Sequence, residues 1–106
     1  MKSIIISGPT NSGKTSITRA ISATHQSVFE TNFGELIDDL KNGIDWDWLL
    51  THSLIVVEEC SAEDILELAP KFSTIPIVFV TNQYIDSHLD DYKQFMVLNL
   101  TTFVNL

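Results

Sequence analysis

Gly8-Pro9-Thr10-Asn11-Ser12-Gly13-Lys14-Thr15 fits the pattern G-x-x-x-x-G-K-[ST] at every required position, and its flanks decide what that pattern means. Upstream, Lys2-Ser3-Ile4-Ile5-Ile6-Ser7 is a short apolar run of β-branched character, the signature of a strand. Downstream, Thr15 to Ile21 continues as a helix with Ile17, Ala20 and Ile21 on one face. Strand, glycine-rich turn and helix in that order form the context of a phosphate-binding loop. In such a loop successive backbone N–H groups point inward at an anion, so Gly8 and Gly13 stand where a side chain would obstruct the approach or the required dihedrals. Lys14 supplies a point charge for β and γ phosphates, and Thr15 offers a hydroxyl to magnesium. The following helix directs its positive dipole end at the anion. A turn that merely happens to contain Gly-Lys-Thr would not need both flanks. The nucleotide-binding set expected here is Gly8, Pro9, Thr10, Asn11, Ser12, Gly13, Lys14, Thr15 and Ser16.

The 106 residues fit a single domain over 1–106, with no room for a separate substrate domain. A hydrophobic content of 44% is that of a globular chain. The formal net charge of −8 opposes unaided nucleic-acid binding, because a phosphate backbone needs clustered cations. Only Lys2, Lys14, Arg19, Lys41, Lys71 and Lys93 are available, and Lys14 is committed to the loop. A lone Cys60 excludes an intrachain disulfide and suits a reducing compartment. No apolar run approaches the length of a membrane span, and the Met1 start lacks the layout of a secretory signal. The expectation is a soluble cytoplasmic protein with no membrane contact.

Further along, Gln26 to Thr31 reads as a short strand and Glu35 to Lys41 as a helix ended by Asn42-Gly43. Ile44 to Leu50 is ambiguous. Trp46, Leu49 and Leu50 share a helical face while Trp48 projects elsewhere, and core packing competes with stacking on a base or partner. Ser53-Leu54-Ile55-Val56-Val57 is a continuous apolar run that fits a central strand covered on both faces. Ser61 can cap a helix over Ala62 to Ala69, with Ile65, Leu66 and Ala69 as its apolar stripe and Pro70 as its stop. Ile75 to Val80 is a second central strand, the pattern predicts a helix over Tyr84 to Phe95 with Ile85, Leu89 and Tyr92 on one apolar face, and Met96 to Leu100 begins a last strand. Five strands alternating with helices predict an α/β three-layer sandwich around a mostly parallel sheet.

Such a sheet binds ligand outside the carboxyl ends of its strands. The polar residues ending the first, third and fourth strands should therefore converge, and they are the loop, Glu58 with Glu59, and Thr81 with Asn82. A carboxylate after four apolar strand residues is placed to hold hydrated magnesium opposite Thr15, a role assigned to Glu58. Glu59 is then placed to deprotonate an attacking water, although paired carboxylates at a strand end also occur as solvated loop charges. Asn82 can hydrogen-bond both a γ phosphate and that water, or simply end its strand. His25, His52 and His88 lack a metal-ligand spacing, and Cys60 reads as a small buried residue.

Taken in order, Gly8 to Thr15, Leu54-Ile55-Val56-Val57-Glu58-Glu59-Cys60 and Ile75-Pro76-Ile77-Val78-Phe79-Val80-Thr81-Asn82 resemble motifs A, B and C of the superfamily 3 helicases of small DNA viruses. The resemblance covers about residues 3 to 100. It implies the glutamate-containing branch of P-loop NTPases, with strand order 5-1-4-3-2, magnesium as cofactor and ATP as nucleotide. It also implies a basic DNA-gripping segment between motifs B and C, where this chain has Ser61 to Thr74 with Lys71 as its sole cation. After motif C it implies an arginine finger, for which Lys93 is the nearest cation. The leading expectation is a magnesium-dependent ATPase hydrolysing the β–γ bond, with Lys14, Glu59 and Asn82 catalytic. A second copy or a partner protein would supply the missing cation. A nucleotide-dependent interaction switch and a small phosphotransferase are the alternatives.

Overall fold

The computed structural model describes residues 3–72 and 74–100; the position of Lys2 lies outside them. In chain order the elements are β1 (Ile4–Ser7), α1 (Lys14–Ser22), β2 (Val28–Asn32), α2 (Phe33–Lys41), α3 (Trp46–Leu49), β3 (Leu54–Cys60), α4 (Ala62–Leu68), β4 (Ile77–Thr81) and β5 (Met96–Asn99). Every strand pairing is parallel and the sheet order is β2-β3-β4-β1-β5. Read from the other edge this is the expected 5-1-4-3-2.

The continuous apolar runs of β1, β3 and β4 follow from helices on both faces. On one face Ile5, Ile55, Val57, Ile77 and Phe79 join Leu36 of α2, Leu49 of α3, and Ile65 and Leu68 of α4 in the larger core. On the other, Ile6, Leu54, Val56, Val78 and Val80 pack with Ile17 and Ile21 of α1. Full burial of each such side chain contributes about 1.5–3 kcal/mol, so these two layers hold the sheet. Because all strands run the same way, all their carboxyl ends lie on one edge.

Local signals set the helix starts. The Asn32 side chain accepts from Glu35 N–H at 2.9 Å to open α2. Ser61 Oγ accepts from Asp64 N–H at 3.1 Å while the Asp64 carboxylate accepts from Ser61 N–H at 2.9 Å, a reciprocal cap on α4. Helix α4 then tightens into a 3₁₀ turn over Ala69–Phe72 around Pro70, which buries Phe72. The ambiguous stretch forms the single turn α3, capped by Asp45. Only Leu49 of the expected face is buried; Trp46 is 38% and Leu50 46% exposed. Trp46 leans on Phe72, and Trp48 packs edge-on to Phe29 and His52.

The predicted helix over Tyr84 to Phe95 is not formed; only a 3₁₀ turn at Asp90–Tyr92 is helical there. Ile85 and Tyr92 are buried as its apolar face required, but Leu89 is 53% exposed. Asp86 explains part of the failure, since its side chain accepts from His88 N–H at 3.0 Å and so offers the backbone a turn in place of a helix. Asn99 supplies the rest by binding the backbone of Ile85, as described below.

Candidate functional site at the carboxyl edge of the sheet

The loop after β1 is fixed by three backbone features. Gly8 N–H donates to Thr81 O at 3.2 Å, tying the loop to the end of β4. Asn11 and Gly13 take left-handed φ values of 64° and 96°. Gly13 then caps α1 by its backbone alone, with Ile17 N–H donating to Gly13 O at 3.1 Å. The first N–H groups of α1 have no partner within the helix and remain for an acceptor outside it. The two glycines serve different ends. A Cβ on Gly8 would lie 2.5 Å from Ser12 Oγ and 2.8 Å from Leu100 O, whereas one on Gly13 would meet nothing within 4 Å, so φ alone selects glycine there. Lys14 Nζ donates to Gly8 O and Pro9 O, folding its ammonium back across the loop.

The double glutamate owes its geometry to a bulge. Val57 pairs with Phe79 and Cys60 with Thr81, so β3 spends one residue more than β4 over this interval. Glu59 has φ 58°, a left-handed conformation unusual for a residue with a side chain. Strict alternation in a strand covered on both faces would drive one glutamate into each core. The bulge exposes both, then returns Cys60 to the interior at 4% exposure. It also carries β3 to Cys60, three residues beyond the strand expected from the apolar run.

Three clefts open along this edge. One of about 460 Å³ is lined by Thr10, Asn11, Gly13, Lys14, Thr15 and Ser16 together with Asn82. A second of about 700 Å³ holds Lys14, Glu58, Glu59 and Asn82 among its walls. Lys14 and Asn82 therefore stand on the boundary of both. A third, of about 290 Å³, has Gly8, Pro9, Tyr84 and Leu100 as walls and again reaches Asn82. Ser12 lies inside the loop, its Oγ buried without a partner.

Other residues at this edge went unread in the sequence. Glu30, Glu35 and Asp64 add carboxylates to the larger cleft, making it strongly acidic around Lys14, the only cation among the described residues that line the three clefts. Their signal was weak, because each reads as an ordinary strand or helix-start charge. Gln83 Oε1 accepts from Ala62 N–H at 2.8 Å, and Gln83 N–H donates to Thr81 Oγ1 at 3.1 Å. Asn99 Nδ2 donates to Ile85 O at 2.8 Å, and its Oδ1 accepts from Ile85 N–H and from Ser7 Oγ.

Cys60 is inert by environment: burial pushes its thiol up to about 12, with the Asp64 charge adding to the effect. Tyr92 is raised by burial first and by Asp91 and Glu63 after it, while its hydroxyl donates to Ala62 O at 3.2 Å. His52 packs against Trp48 and has Nδ1 3.0 Å from Leu49 O, a structural placement. Among the described residues no group of three or more His, Cys, Asp or Glu could hold a metal by itself. No described helix is long and apolar enough to cross a membrane. Compared with models of known protein families and with curated proteins, the chain matches none.

Proposed function

We propose that the chain is a minimal P-loop NTPase core, related to the superfamily 3 helicases, that binds ATP with magnesium and hydrolyses its β–γ bond. The observation that carries this reading is the juxtaposition of a G-x-x-x-x-G-K-T loop with the Glu58–Glu59 bulge, joined by Lys14 and Asn82, which line both clefts. Phosphates would bind the free N–H groups at the start of α1, and Lys14 would exchange its loop carbonyls for phosphate oxygens.

The donors fit magnesium. Thr15 and Glu58 offer hard oxygens on adjoining clefts, too few for a cage but enough when phosphate oxygens and water complete the shell. Held by Thr15 and Glu58, magnesium would supply charge neutralisation at the phosphates. Glu59, exposed next to Glu58, would accept the proton of the attacking water, and Asn82 would orient that water and the terminal phosphate. The strongly acidic cleft also favours a nucleotide that arrives with its cation over a bare polyanion.

One observation favours slow turnover, the behaviour of an interaction switch. Among the described residues Lys14 is the sole cation of these clefts, Arg19 lies five residues beyond it along α1, and Lys93 is engaged with Asp90 at 2.8 Å on the surface. Charge on the transferring phosphoryl group is then met by one ammonium unless a second copy or a partner protein adds another. Thermal denaturation with ATP and magnesium, alongside phosphate release, tests the reading. Lys14→Ala should abolish both the stabilisation and the turnover, and an unchanged ligand-induced shift in that variant would refute it.

A further inference from the structure

We infer that Asn99 and Gln83 are positioning residues that hold Asn82 at the junction of the clefts, by clamping the strap on which it sits from both sides. The inference rests on the nucleotide-binding reading of the site.

Asn82 is exposed, follows the last residue of β4, and touches all three clefts. An exposed side chain just past a strand end is ordinarily free to move, since no packing fixes it. Here the backbone on its far side is secured twice. Gln83 reaches across to α4, where its Oε1 takes the Ala62 N–H, one of the donors that a helix leaves unsatisfied in its first turn. Its own N–H is held by Thr81 Oγ1, which is buried. Two residues further, Asn99 grips Ile85 by a reciprocal pair: Nδ2 donates to Ile85 O at 2.8 Å and Oδ1 accepts from Ile85 N–H at 3.3 Å.

The Asn99 amide thus does for Ile85 what a neighbouring strand's peptide would do. It leaves Ile85 buried at 1% exposure while the chain there is not in a strand. The same Oδ1 accepts from Ser7 Oγ, and Ser7 is the residue before Gly8 and pairs with Asn99 across the β1–β5 ladder. The strap carrying Asn82 is therefore tied on one side to the β3–α4 junction behind the Glu58–Glu59 bulge, and on the other to the start of the phosphate loop. Neither residue touches the reacting atoms in this account. Both act through Asn82.

The discriminating measurement is the ratio of ATP to ADP affinity, read by titration calorimetry with magnesium, because in the nucleotide-binding reading Asn82 would meet the terminal phosphate that only ATP has. Asn99→Asp keeps the size and the acceptor but sets a carboxylate oxygen against Ile85 O; Gln83→Leu removes the acceptor for Ala62 N–H. Each should lower the ratio by about five- to tenfold, the worth of one or two oriented hydrogen bonds, as should Asn82→Ala. Gln83→Glu keeps the acceptor and should lower it less than Gln83→Leu. In the Asn82→Ala background neither Asn99→Asp nor Gln83→Leu should lower the ratio further, since the group they position is gone.

Additive losses in that background would overturn the inference while leaving nucleotide binding intact. So would an unchanged ratio in the two single variants. Failure of the parent to bind ATP would instead overturn the underlying reading, and this inference with it. Should a variant prove unstable, the side-chain amide resonance of Asn82 in the remaining one must shift by NMR, and an unmoved resonance refutes the clamp.

Discussion

Replacing Glu59 by glycine should separate stability from activity. Glu59 sits at φ 58°, where its Cβ crowds the backbone at about 1–2 kcal/mol relative to a right-handed conformation, a cost that glycine does not bear. Glycine loses more freedom on folding, which returns about 0.5–1 kcal/mol of that gain. Alanine is the control: it removes the same carboxylate, and the same repulsion from Glu58, but keeps the Cβ and therefore the strain. Glu59→Gly should consequently exceed Glu59→Ala in stability by about 1 kcal/mol, or roughly 4–8 °C in melting temperature for a domain of this size. Urea denaturation followed by far-UV circular dichroism would give the difference, with equal m-values required before the midpoints are compared. Both variants should lose phosphate release while retaining ATP-induced stabilisation. An alanine variant as stable as the glycine one would refute the strained bulge, and with it the explanation of how two consecutive glutamates both face the cleft. If glycine does prove the more stable, the strain at Glu59 is one retained for function, as strain at ligand sites commonly is.

Gly8→Ala forces a Cβ against the Leu100 carbonyl and should destabilise the fold by about 1–3 kcal/mol even without nucleotide, whereas Gly13→Asn, whose residue type tolerates left-handed φ, should cost less; a reversed order in thermal melts would contradict the loop geometry. Glu58→Gln should weaken magnesium dependence more than nucleotide affinity, measured by metal titration of phosphate release. Because the Cys60 thiol is raised in the fold, its unfolded form loses a proton first; stability should be fully present below about pH 9 and decline as pH rises towards about 12, with the buried Tyr92 acting in the same direction. Cys60→Ala should flatten that decline, and an unchanged slope between parent and variant would count against the burial argument. DNA or RNA anisotropy should show only weak, salt-sensitive binding, and tight binding at 200 mM salt would restore a DNA-translocating role.

The sheet was legible because its information is one-dimensional. Runs such as Leu54-Ile55-Val56-Val57 and Ile77-Val78-Phe79-Val80 can be buried only between two layers, and strands of that kind separated by helices leave few topologies. The turn after β1 was legible for the same reason, since the close approach at Gly8 and the left-handed backbone at Gly13 demand particular residues at fixed spacing within one turn. What escaped the sequence depends on partners distant in the chain. Helical periodicity over Tyr84 to Phe95 correctly marked Ile85 and Tyr92 as interior, but periodicity reports which side chains are buried and not what satisfies the backbone between them. Asn99, fourteen residues away, offered Ile85 both a donor and an acceptor, and Asp86 offered His88 a turn. Once those bonds are made a helix through Ile85 would have to break them, so the segment stays irregular with Leu89 exposed. The bulge at Glu58–Glu59 escaped likewise, because the extra residue is visible only against the β4 register. Both misses fall beside Asn82, where local propensity is overridden by side-chain bonds that converge on the edge of the sheet, which is the pattern expected of a site whose geometry matters more than the regularity of its elements.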